Sequence, residues 1–172
     1  LNRFVIHESA HQPSDDKRPG LGLYIFGQWF NRHETWAEQA KCWTDYLARS
    51  CYMLSQGQNV ADVLYYYGED NSITGLFANG MPDIPAYANY DFINADALIN
   101  ILNWDRKKKE FYTPAGARYK LLAIDANARK MSLPVLRKLA VLVRSGALIC
   151  GQRPEYEPSL MGDKVEFERL VD

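Results

Sequence analysis

The segment from Tyr119 to Cys150 constrains the fold most. Tyr119–Ile124 is a short apolar run bounded by polar residues, which predicts a strand. Ser132 can cap a helix from Leu133 to Ser145, and Pro134 is tolerated in its first turn. Leu136, Leu139, Ala140 and Val143 give that helix one apolar face. Gly146 closes it, and Ala147-Leu148-Ile149-Cys150 follows at once as another strand. A helix that feeds directly into a buried strand is the second half of a βαβ unit. Such units favour parallel sheets and right-handed crossovers, so the fold class is α/β.

The rest of the chain fits this class. Arg3–Ile6 reads as a strand running into a polar loop from His7 to about Asp16. A glycine- and aromatic-rich stretch, Pro19 to Phe30, comes next. Trp36, Ala40, Trp43, Leu47, Cys51 and Leu54 then recur at steps of three and four, one face of a helix that starts near His33–Thr35 and stops at Gly57. Val60–Tyr67 is nearly continuously apolar, which suits a strand covered on both faces. Glu69 to Asn89 reads as a loop and Asp91 to Leu102 as a helix. Trp104 to Glu110 reads as a charged connector whose Lys107-Lys108-Lys109 is a solvated turn.

Composition narrows the function. Of 172 residues, 47% are hydrophobic and 24% charged, so the chain is neither disordered nor fibrous. Twenty basic residues against 21 acidic leave a formal charge of −1, and no net field draws it to nucleic acid or an anionic membrane. No apolar run approaches the roughly 18–20 residues that span a bilayer. The first residues carry no Met and no signal-peptide pattern and already read as a strand, so the chain is expected to be a piece of something larger. Cys42, Cys51 and Cys150 are read as free buried thiols. The first two lie nine positions apart in one helix, about 13 Å along its axis, too far for a disulfide.

His7-Glu8-Ser9-Ala10-His11 matches the H-E-x-x-H pattern of zinc proteases letter for letter. That chemistry needs both imidazoles on one helical face. Here a strand precedes the motif, Pro13 biases Gln12 away from helix, and only Glu34 or Glu38 offers a third ligand. The other reading is positional. Polar residues just past the carboxyl end of a strand face the site in α/β folds. His7, Glu8, His11 and Gln12 lie there, and imidazole and amide groups can hydrogen-bond sugar hydroxyls. Two satisfied loop histidines remain the plain alternative. Glu8, Asp15, Asp16 and Glu34 are candidate carboxylates for glycosidic cleavage, but spacing alone pairs none of them. Trp29, Phe30 and Trp36 could stack on a sugar face, although Trp36 sits on the apolar helix stripe. There is no G-x-S-x-G, Walker loop or G-x-G-x-x-G.

The stretch His7-Glu8-Ser9-Ala10-His11-Gln12-Pro13 resembles the H-x-S-x-H-Q-P loop of the large bacterial α-L-rhamnosidases, a glycoside hydrolase family. The likeness continues through Phe26-Gly27-Gln28-Trp29-Phe30, Arg32–Ala40, Asp45–Ser50, Tyr52–Gly57, Tyr67-Gly68-Glu69-Asp70, Tyr90–Leu98 and Met131–Leu139, nearly the whole chain in one order. The resemblance implies that residues 1–57 are the last β/α unit of a (β/α)8 catalytic barrel. It implies that residues 58–172 are a following flavodoxin-like or class I glutamine amidotransferase-like parallel-sheet domain, incomplete here. It implies inverting hydrolysis of terminal α-L-rhamnose from plant-type glycans, calcium at the site, a periplasmic or extracellular location, and acid and base carboxylates on earlier barrel strands. Only His7, His11 and Gln12 carry over, as sugar-contacting residues; Glu8 falls where the family pattern tolerates other residue types. The charged run Trp104–Glu110 departs from the short Gly-bearing turn of the family.

The expected partners are a rhamnose-containing glycoside and the remainder of a longer chain, with no nucleic acid and no membrane span. The isolated segment is expected to be inactive. Two rivals stand beside this reading: a non-catalytic α/β packing or oligomerisation module, and the zinc metalloprotease.

Overall fold

The computed structural model describes residues 2–18, 20–24, 26–27, 29–70, 82, 84–160 and 162–172. The chain divides into two compact units, Leu1–Gly57 and Gln58–Asp172.

The second unit is built on a parallel sheet of order β2-β1-β6-β7. Its strands are β1 (Val63–Tyr66), β2 (Tyr90–Ile93), β6 (Leu121–Ile124) and β7 (Ile149–Cys150). All of β1 is buried, because successive side chains point to opposite, covered faces. Leu64 and Tyr66 join the main core with Leu98, Leu102, Phe111, Leu122, Met131 and Val135. Val63 and Tyr65 join Ala123 on the other face. The β-α-β path through β6, α3 (Leu133–Arg144) and β7 is the expected one. Ser132 occupies the N-cap of α3, but its side chain makes no capping bond. Its backbone N–H donates to the Glu69 carboxylate at 2.7 Å instead. Gly146, at φ +87°, turns the chain out of the helix.

Three sequence expectations for this unit are corrected, and one element is new. The helix expected over Asp91–Leu102 divides at Asn94. Tyr90–Ile93 pair with β1, and α2 (Ala95–Asn100) starts only after Asn94, whose side chain accepts the Ala97 N–H at 2.8 Å. The charged connector is a hairpin. Here β3 (Asn103–Asp105) and β4 (Glu110–Tyr112) pair antiparallel, and β5 (Arg118–Tyr119) extends this second sheet. The Asp105 carboxylate closes its turn by accepting the N–H groups of Lys107 and Lys108 at 3.0 and 3.1 Å. Lys107–Lys109 are exposed, as a solvated turn requires. Tyr119 therefore belongs to β5, and the third parallel strand begins at Leu121. Finally, α4 (Lys164–Val171) was not foreseen. Asp163 caps it by accepting from Val165 and Glu166 at 2.9 and 3.0 Å, and Phe167 is its one buried residue. The loop expected over Glu69–Asn89 lies largely outside the described residues.

In the first unit, a 3-10 turn (Ala37–Gln39) leads into α1 (Ala40–Leu54). The helix is amphipathic as expected, yet none of its residues is buried. Phe30, Trp36 and Trp43 gather their rings 5.9–6.4 Å apart at its start. Arg3–Ile6 forms no strand: residues 2–10 pair with nothing in regular structure, and Val5 is 91% exposed. A strand needs a hydrogen-bonded neighbour, and the described residues supply none here. The cysteines are free, but Cys42 and Cys150 are exposed rather than buried.

Candidate functional site

The loop carrying His7, His11 and Gln12 is held from its backbone. His11 and Leu21 exchange both N–H···O bonds at 2.8 Å, an isolated antiparallel bridge that leaves the imidazole exposed. Gly20, at φ +115°, makes that bridge possible, since a Cβ there would sit 2.5 Å from the His11 carbonyl oxygen. His7 is exposed and packs its ring against Phe26, centroids 5.4 Å apart. Glu8 turns to the loop itself, its Oε1 accepting the Leu23 N–H at 2.9 Å. That bond gives Glu8 a structural task.

Gln12 differs from the two histidines. It is half-buried, and its Nε2 donates to Asn31 Oδ1 at 3.4 Å. The same oxygen accepts the His33 N–H at 2.9 Å, while Asn31 Nδ2 donates to Glu34 Oε1 at 3.2 Å. Asn31 thus links the loop to the chain that enters α1. It also lines a cavity of about 400 Å³ with Phe30, Arg32, Trp36 and Glu38. Aromatic faces beside polar groups suit a sugar ring, which offers C–H faces and hydroxyl edges. None of His7, His11 and Gln12 lines this cavity, and only Gln12 touches its wall, through Asn31. Asn31 was missed from the sequence. The signal was there, because Asn31-x-x-Glu34 has the spacing of a capping box at the start of a helical turn. Asp15 is engaged by Arg32 and Asp16 by Ser14, so neither stands as an isolated acid.

The H-E-x-x-H match does not build a zinc site. Residues 2–10 are not helical, so the two imidazoles are not stacked on successive turns of a helix. Among the described residues no group of three or more His, Cys, Asp or Glu side chains gathers to hold a metal. No helix among the described residues is long and apolar enough to cross a membrane.

These features sit in a chain with clear relatives. The alpha-L-rhamnosidase family model of glycoside hydrolases matches residues 1–172. A solved rhamnosidase from Novosphingobium sp. PP1Y is 47% identical, superposes with a TM-score of 0.75 and covers 99% of this chain. A protein of Formosa agariphila named "Putative beta-glucuronidase" is 37% identical over 161 residues, 93% of this chain. The chain spans 16% of the length of the first and 13% of the second. It belongs to the alpha-L-rhamnosidase family of glycoside hydrolases.

Proposed function

We propose that this chain is part of a longer glycoside hydrolase that releases terminal α-L-rhamnose from plant-type glycans with inversion at the anomeric carbon. The match of the rhamnosidase family over the full 172 residues carries the reading. Within it, residues 1–57 are the last β/α unit of the catalytic barrel, and residues 58–172 are a flavodoxin-like domain that follows. The parallel order β2-β1-β6-β7 supports the second assignment. The exposed apolar stripe of α1 and the unpaired Arg3–Ile6 support the first, because a barrel would give both of them neighbours.

His7, His11 and Gln12 contact the sugar. His11 is suited to this because its backbone is locked to Leu21 while its ring is exposed. Gln12 is oriented through Asn31, which fixes one end of its amide. An inverting mechanism needs one carboxylic acid to protonate the leaving oxygen and one carboxylate to activate water. Those two groups come from other parts of the longer protein, as does calcium.

The test is His11→Ala in the complete polypeptide. The expected result is a fall of about tenfold or more in kcat/KM on an aryl α-L-rhamnoside, the loss of one hydrogen bond to substrate, with an unchanged melting temperature. Full activity after the change would return His11 to a structural role. Cleavage of an aryl glucuronide and not of the rhamnoside would overturn the substrate, and proton NMR of the first-formed anomer reads the stereochemistry.

A further inference from the structure

The unit Gln58–Asp172 carries a second polar depression, and its position in the sheet is telling. In the order β2-β1-β6-β7 the chain leaves β1 toward β2 on one side, then returns to β6 on the other. The loops beyond the carboxyl ends of β1 and β6 therefore diverge, and open α/β sheets bind ligands in that crevice. Here the crevice holds a cavity of about 410 Å³ lined by Asp70, Asn127, Arg129, Lys130, Glu155 and Tyr156. That volume lies within the range of ordinary ligand pockets, about 300–1,000 Å³.

The walls are fixed before any ligand arrives. Asp125 continues β6 by donating its N–H to the Tyr66 carbonyl at 2.9 Å, and its carboxylate accepts the Tyr65 hydroxyl at 2.6 Å and the Asn127 N–H at 2.7 Å. The segment with Glu155 and Tyr156 runs alongside Arg129–Met131. Glu155 N–H donates to the Arg129 carbonyl at 2.7 Å, and Met131 N–H to the Tyr156 carbonyl at 3.2 Å. Beneath this frame Tyr66 is fully buried, and its hydroxyl has no hydrogen-bond partner among the described residues.

Charge decides the class of ligand. The two cations and two acids of the lining are paired, Arg129 with Glu155 and Lys130 with Asp70, the latter at 2.8 Å. The lining is neutral overall. A charged ligand would need an excess of opposite charge, which this lining does not hold. A neutral polyol would not, because paired carboxylates and guanidinium groups keep further acceptor and donor positions for vicinal hydroxyls. Asn127 adds an amide that meets the fold through its backbone N–H, and the partly exposed Tyr156, with Lys130 Nζ over its ring 5.8 Å from the centroid, leaves its other ring face for C–H contacts.

We propose that this switch-point cavity of the second unit binds a neutral sugar residue. It is polar and open to water, so the affinity is weak, on the order of millimolar.

Saturation-transfer NMR on the complete polypeptide with methyl α-L-rhamnoside tests it. The expected result is a signal that persists in His11→Ala and falls at least twofold further when Asn127→Ala and Tyr156→Ala are added to it. Tyr156→Phe keeps the ring and the signal, and Asn127→Ala keeps the melting temperature. A signal abolished by His11→Ala alone means one site, not two, and sinks the proposal without touching the role of His11. A signal indifferent to Asn127→Ala and Tyr156→Ala sinks it as well. Stronger transfer to methyl β-D-glucuronide at this cavity would overturn the neutral ligand.

Discussion

Tyr119 donates its hydroxyl to the Asp91 carboxylate at 2.9 Å, joining the antiparallel sheet to edge strand β2 of the parallel one. Asn59 donates to both oxygens of the same carboxylate, each at 2.9 Å. Asp91 is therefore a junction between three segments of the second unit.

This junction makes the unit alkali-sensitive. Burial, then the hydrogen bond and charge of Asp91, push the Tyr119 hydroxyl up to about 12. Burial also raises Tyr66. The unfolded chain releases these protons near pH 10. Below pH 10 both states are protonated and the contribution is fully present. Between about 10 and 12 only the unfolded state loses its proton, so stability falls as pH rises. Melting temperatures measured from pH 8 to 12 should drop, and Tyr119→Phe should flatten that drop while costing about 1–2 kcal/mol at neutral pH.

Phe111 anchors the hairpin to the core. It is fully buried and meets Trp104 edge to face with ring centroids 4.9 Å apart. The Trp104 indole N–H donates to the Ser145 carbonyl at 3.0 Å, past the end of α3. Phe111→Ala should cost about 3–5 kcal/mol in urea unfolding, and Phe111→Leu clearly less.

Gly20 is expected to tolerate no side chain. Its φ of +115° disfavours one, and the added Cβ would lie 2.5 Å from a carbonyl oxygen already accepting the Leu21 N–H. Gly20→Ala should destabilise the first unit by about 1–3 kcal/mol and displace His11. In the complete polypeptide its kcat/KM on the rhamnoside should fall with that of His11→Ala, whereas Gly57→Ala, strained at φ +84° but with no atom within 4 Å of its Cβ, should cost stability and leave kcat/KM unchanged.

The clasp between α3 and α4 should be acid-sensitive. Arg137 donates to both oxygens of Glu166, at 2.9 and 2.6 Å, and this bond holds the Glu166 carboxyl below its ordinary value. A depressed carboxylate contributes stability above the unfolded value and loses it as pH falls through the folded one. The gap in melting temperature between wild type and Glu166→Gln should be present at pH 7 and close in acid. A gap that persists at pH 2 would exclude this pair as its source.

Much of the second unit was legible from periodicity. The helix Leu133–Arg144 and the buried run around Val63–Tyr66 carry patterns that only one packing satisfies. Asp91–Ile93 read as helix because Phe92, Ala95, Leu98 and Ile99 share a helical register across Asn94, which follows strand β2 and caps α2. The hairpin around Lys107–Lys109 was hidden because its turn is closed by one carboxylate, Asp105, and not by glycine. In the candidate site, the loop residues His7, His11 and Gln12 could be named from the sequence. Their partners could not, since Leu21, Phe26 and Asn31 are reached through space.

The amino-acid order alone determined the α/β class, the β-α-β path through Cys150 and the family, because each rests on local spacing or on residue identity along the chain. Tertiary structure decided which apolar runs pair as strands, that the H-E-x-x-H letters lie in a non-helical loop held to Leu21, and that β1 and β6 become neighbours with a crevice at their ends. Pairing and crevices depend on contacts between segments distant in sequence, and the energy of such contacts is not written in either segment by itself.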